Sequence, residues 1–167
     1  MGNLKKAIAE IEPFIQDPHL GLGDDLFQFL SRLTPMVNVD LLIRNDEGEI
    51  LLTWRSDDYY GPGWHIPGGV VRFKELFEDR ISAVAANELG TEVVFEEIPA
   101  LVQQTLHTDR DTRGHFISLL FECALKAPPD HRRRYLSGTP KQGEWAWHNS
   151  LPPNMIKVHR KMYGKIF

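Results

Sequence analysis

The chain has 167 residues, 42% of them hydrophobic and 25% charged, with a formal net charge of −4. That length and balance fit one domain with a sizeable core, and the acidic excess argues against a dedicated nucleic-acid binder. A single cysteine, Cys123, excludes an intrachain disulfide, and no apolar run of about 18 residues is present to span a membrane.

Leu4, Ile8, Ile11 and Ile15 recur at helical spacing, and Asp17 and Pro18 turn the chain toward a second helical pattern with Leu26, Phe27, Phe29, Leu30 and Leu33. Residues 1–35 therefore read as an N-terminal helical extension, and residues 36–167 as the main domain with a C-terminal helix. The apolar faces of the extension are expected to cap the domain or to pack on a second copy in a homodimer. Met1 to Glu10 lacks the apolar stretch of a secretory leader, so a cytoplasmic setting is expected.

Val37–Ile43 has strand composition, Asn45–Gly48 supplies a turn, and Ile50–Trp54 is a second strand, so a hairpin is the economical reading. Asp40 lies among apolar neighbours in the first strand, where an unpaired carboxylate is costly, and so needs a partner or a polar cleft. Arg55 ends the second strand ahead of the polar loop Ser56–Tyr60, where its planar fork suits two phosphate oxygens.

The turn-rich run Gly61–Gly69, GPGWHIPGG, leads into a helical pattern expected from about Lys74 to Leu89 and stopped by Gly90. Leu76, Ile81, Val84 and Ala85 form its apolar face, with Glu75, Glu78 and Asp79 toward the positive end of the dipole. Gly68 and Gly69 allow the close backbone approach a ligand needs. Strands follow at Glu92–Phe95, Leu101–His107 and His115–Leu125, the last two joined by the polar loop Thr108–Gly114 with two arginines and two aspartates. His107 and His115 flank that loop, and either can serve as a general base near neutral pH. Cys123 sits in an apolar run and reads as core, and the cluster Asp130–Arg134 as a solvated linker. Glu144–Trp147 is a short strand with Trp145 and Trp147 on one face, and Met155–Ile166 a basic C-terminal helix.

Gly69, Glu75, Glu88 and Gly90 fall without a gap on the glycine, first glutamate, last glutamate and closing glycine of the box that marks the Nudix hydrolases, which this chain resembles from Thr34 to Trp147. The box arginine is replaced by Ala83, two further carboxylates by Val84 and Asn87, and the final aliphatic residue by Thr91. Arg80 is placed to substitute for the arginine by pairing with Glu88, or else to lie on the surface beside Glu78 and Asp79. The resemblance implies an α+β fold, an α/β/α sandwich with a mixed sheet between helices. In box pattern and in TPMVNVDLLIRNDEGEILLTWR the chain resembles the branch of GDP-mannose mannosyl hydrolases.

That branch implies a nucleotide sugar, or another nucleoside diphosphate, as substrate and Mg²⁺ (or Mn²⁺) as cofactor. Gly69 and Glu88 would hold the ion, with Glu75 and Gln142 as further ligands, and Asp40, Arg55, Gly68 and Gly69 would contact the substrate. Arg55 would stabilise the departing diphosphate, while Glu144, His107 or His115 activates water. The thinned set of carboxylates leaves, as the alternative, a binding module that has lost catalysis.

Overall fold

The computed structural model describes residues 2–167. Alternation along its central strands sets the layers. β1 (Met36–Ile43) sends Val39, Leu41 and Ile43 to one core cluster and Leu42 to another. β2 (Ile50–Arg55) does the same with Leu51 against Ile50, Leu52 and Trp54. Both strands are therefore buried on two faces, which explains their near-continuous apolar runs.

β1 pairs parallel with β7 (His115–Leu125) and antiparallel with β4 (Gly68–Val70). β5 (Val93–Phe95) and β6 (Leu101–Leu106) share the far edge of β7, completing a mixed five-stranded sheet. A second sheet places β2 between β3 (Gly63–His65) and β8 (Trp145–His148). The first cluster is closed by Ile81, Val84 and Leu89, from α3 (Phe77–Val84) and a wider π-helical turn over Ala85–Leu89 that continues it. The second is closed by Met155 and by Tyr163 at the end of α4 (Lys157–Tyr163). Helices thus cover both faces, and the α/β/α sandwich with a mixed sheet is the observed fold. Among the described residues no helix is long and apolar enough to cross a membrane.

The hairpin reading is corrected. The turn at Asn45–Gly48 forms, but β1 and β2 belong to different sheets and touch in a ladder only at the bridge Arg44–Ile50. The backbone of β2 instead pairs antiparallel with β3 and β8, segments the turn at Asn45–Gly48 does not reach. The box helix also starts later than Lys74. Lys74 adopts a left-handed φ of 58°, and the Glu75 side chain folds back onto the Arg72 N–H, so helical geometry begins at Phe77. Gly90, at φ 67°, is the left-handed stop that the sequence predicts.

The N-terminal patterns become α1 (Asn3–Ile11) and α2 (Asp24–Leu30). No residue of α1 is buried, and Leu4 and Ile8 stand exposed. α2 instead meets the body of the domain, through Asp24 to the Tyr59 hydroxyl at 2.9 Å and the Phe27 ring beneath the Arg113 guanidinium. Trp145 is core, with Trp147 packed against the same cluster, and Cys123 is buried.

Candidate active site

Glu88 reaches across from the π-helical turn to the second sheet. Its carboxylate accepts the Thr53 hydroxyl at 2.7 Å and the Gly68 N–H at 3.1 Å, and lies 3.5 Å from His65 Nε2. Burial raises its pKa, but His65, Thr53 and the Gly68 amide outweigh that and hold the carboxyl below the usual range. Glu88 is thus an ionised carboxylate fastened to Gly68, the residue before the box glycine.

Arg80 does not serve Glu88. It is buried and forks onto Glu75, with Nη2 to Oε1 at 2.5 Å and Nε to Oε2 at 2.9 Å. The expected pairing with Glu88 and the surface alternative are both corrected, because Glu75 precedes the helix and turns inward over the first turn. Val84 fills the core and would lie 3.0 Å from a methyl group on Gly69, so this position packs against the loop. Asn87 is exposed, and its carbonyl accepts Arg133 at 2.6 Å.

A cavity of about 220 Å³ opens beside Gly68 and Gly69. Its polar wall includes Asp40, Arg55, Tyr60, His65, Arg113 and His159. Asp40 is central rather than at a sheet edge, only 1% exposed, and accepts the Tyr163 hydroxyl at 2.5 Å and the Asn38 amide at 2.7 Å. Burial pushes its carboxyl up to about 7, against the lowering pull of Tyr163, His65 and Asn38. Gly68 must be glycine here: a methyl would collide with Asp40 Oδ1 and sit 2.8 Å from the Val39 carbonyl. His159 Nδ1 accepts the Ile66 N–H at 3.1 Å, so its other nitrogen carries the proton. Burial, with His65 and Arg55 nearby, keeps this ring neutral by pushing its pKa far down. Arg55 is paired with Asp57 and lies over the Tyr60 ring at 5.4 Å.

The cavity gathers Asp40, Arg55, Gly68 and Gly69 from the expected residues, with Glu88 directly behind Gly68. It does not gather the rest. Gln142 accepts the Ser56 N–H at 2.6 Å, and Glu144 accepts the Lys141 N–H at 2.9 Å. His107 lines a neighbouring cleft, and His115 meets Gln104 at 3.0 Å. His65, Arg113 and His159 were not singled out by the sequence as site residues. The first stands inside the glycine-rich loop, a signal that was available, whereas the other two are brought in by tertiary packing alone.

The donor chemistry decides how far a divalent ion fits. Among the described residues no three His, Cys, Asp or Glu side chains converge on a point that could hold a metal. Glu75 is taken by Arg80, Gln142 by Ser56, and Glu88 by three internal partners. These residues do not fit an Mg²⁺ or Mn²⁺ ion caged by protein side chains; such an ion needs phosphate oxygens for most of its ligands.

The NUDIX domain family matches residues 34–165. The chain is 32% identical over 112 residues to the low-salt glycan biosynthesis protein Agl8 of Haloferax volcanii, an overlap of 65% of this chain and 70% of that protein. It is 32% identical over 97 residues to an ADP-ribose pyrophosphatase of Methanocaldococcus jannaschii, covering 58% of this chain and 55% of the other. The crystal structure of a MutT protein from Methanosarcina mazei Go1 superposes with a TM-score of 0.60 at 22% identity, over 80% of this chain and 94% of that one. Box, fold and relatives agree, and the chain belongs to the NUDIX family of hydrolases.

Proposed function

We propose that this Nudix hydrolase cleaves a nucleoside diphosphate joined to a sugar, and that its own arginines rather than a cluster of carboxylate-bound ions take most of the diphosphate charge. The observation that carries this reading is the cavity beside Gly68 and Gly69, which sets Arg55 against a glycine loop backed by the single carboxylate Glu88. A guanidinium aimed at developing negative charge stabilises a departing diphosphate without reorganising. The kinship with a glycan biosynthesis protein and an ADP-ribose pyrophosphatase supports a sugar-bearing substrate. Asp40 is the proton acceptor in this reading: it lines the cavity, titrates near neutrality and stands among groups that hold it in place. His107, His115 and Glu144 lie outside that cavity's wall.

The test is product analysis in ¹⁸O-water with nucleoside diphosphate sugars, ADP-ribose and nucleoside triphosphates, each with Mg²⁺, Mn²⁺ or EDTA, and with Glu88→Gln as control. Nucleoside diphosphate plus labelled free sugar places attack at carbon, and nucleoside monophosphate plus sugar phosphate places it at phosphorus. The engagement of Glu88 by Thr53, Gly68 and His65 favours a second reading, a ligand-binding module. Saturable binding with no product from folded protein under every condition would establish it and refute the hydrolase.

A further inference from the structure

Arg113 is a cavity arginine with no carboxylate partner among the described residues, whereas Arg55 is tied to Asp57 and buried Arg80 to Glu75. Its Nε is buried and has no hydrogen-bond acceptor. The backbone beneath it is held in a conformation few side chains adopt, with φ 53°. That conformation is fixed from both sides. The Arg113 N–H donates to Ser31 Oγ at 2.9 Å, and its carbonyl accepts the Tyr60 hydroxyl at 2.9 Å. Ser31 follows α2 directly, is only 5% exposed and donates to the Gln28 carbonyl at 2.8 Å. The guanidinium is stacked 4.9 Å from the Phe27 ring centre and 4.5 Å from that of Tyr59.

Stacking explains the plane of the guanidinium but not its unpartnered nitrogen. Strained backbone and buried donors without an acceptor cluster at ligand-binding sites. Burial, with Arg55 close by, also works against the positive charge, and an anion in the cavity would relieve both. Planar, multiply donating and permanently charged, an arginine suits phosphate oxygens.

We propose that Arg113 is a second anion-binding residue of this cavity, taking phosphate oxygens of the substrate's diphosphate opposite Arg55, and that the N-terminal extension positions it through Ser31 and Phe27. The inference rests on the reading that the substrate carries a diphosphate. It gives the extension a task within the site: α2 forms the support on which a substrate-binding arginine is mounted. Arg110, on the same loop, stacks 4.4 Å from Tyr60 and donates to the Tyr59 carbonyl, so the loop is fastened at two points.

The experiment titrates the full chain with inorganic pyrophosphate by calorimetry, in EDTA and at low ionic strength, comparing wild type with Arg113→Gln, Arg113→Lys and Ser31→Ala. Wild type is expected to bind, with Arg113→Gln weakened about tenfold or more through loss of charge-assisted hydrogen bonds. Arg113→Lys is expected between the two, since it keeps the charge and loses the fork. Ser31→Ala, with the arginine intact but less well held, is expected to weaken binding about threefold. Thermal denaturation without pyrophosphate runs in parallel. A lowered Tm with unchanged pyrophosphate affinity in both Arg113 variants reduces the residue to a structural brace and overturns the proposal, as does a wild type that binds no pyrophosphate. Unchanged affinity in Ser31→Ala overturns the positioning half. Failure to hydrolyse any nucleotide sugar, with pyrophosphate affinity still set by Arg113, refutes the hydrolase reading and leaves this one standing.

Discussion

Replacing Arg80 by alanine tests the role of Glu75 as a structural anchor. The guanidinium makes two charge-assisted bonds to Glu75, at 2.5 and 2.9 Å, with side-chain exposures of 7% for the arginine and 12% for the glutamate. Alanine leaves the carboxylate with only the Arg72 N–H, at 2.8 Å, and strips the arginine stem from beside Gly69. Breaking a buried pair by removing one partner costs about 3 to 5 kcal/mol. At about 2 to 4 °C per kcal/mol for a chain of this size, Tm should fall by about 6 to 20 °C. The pH dependence carries a definite sign. Burial raises the Glu75 pKa, but Arg80 and the Arg72 amide outweigh it, so the folded state holds this carboxyl below its ordinary 4.5. Its contribution is complete above the unfolded value and disappears as pH falls through the folded one. The stability gap between wild type and Arg80→Ala should be widest at neutral pH and shrink below about 4.5. Urea denaturation at pH 7.5 and at pH 4 measures both. A gap under about 1 kcal/mol at pH 7.5, or one that widens in acid, refutes the assignment.

Other consequences are more local. Asp40, held at about 7, should give kcat a limb that rises with pH through that value, and Asp40→Asn should remove the limb and lower kcat about 100-fold. Because the folded state binds this proton more tightly than the unfolded value of 3.8 allows, rising pH costs stability up to about 7; Asp40→Asn should therefore gain on wild type in denaturation at pH 8 relative to pH 4. Gly68→Ala should destabilise by about 1 to 3 kcal/mol in urea denaturation, since its methyl has no space beside Asp40. The Cys123 thiol is pushed up to about 12 by burial, so a thiol reagent at pH 8 should label the native protein far more slowly than the urea-unfolded chain.

Much of the fold is legible because short-range patterns agree with it. The strand at His115–Leu125, the Gly90 stop and the shared face of Trp145 and Trp147 follow from period, turn residues and apolar content. The hairpin failed for a physical reason: strands buried on both faces do not show in their own composition which sheet they join, and the sheet assignment of β2 comes from β8, far along the chain. Boundaries failed where side chains override propensity, as when Glu75 turns back onto Arg72 and Arg80 and delays the helix.

The site was legible where a motif lies in one stretch of chain, at Gly68, Gly69 and Glu88, and at Asp40 and Arg55, whose charge stands out in or at the end of an apolar strand. Its remaining wall is assembled from separate segments, with Asp40 held by Tyr163 and Arg113 held by Ser31. The altered box can be understood as one linked change. Arg80 lies one turn before the lost arginine at Ala83, on nearly the same helical face, and takes Glu75. Its stem then lies over Gly69 together with Val84, so the helix meets the loop through an aliphatic surface where the box expects a carboxylate. A carboxylate at position 84 would be buried in that contact, close to ionised Glu88 and with Arg80 already engaged by Glu75. Moving the arginine and losing the acid are therefore mutually consistent. Together they leave Glu88 as the carboxylate that links the helix to the loop, and in the proposed reading arginines outside the box meet the substrate's charge.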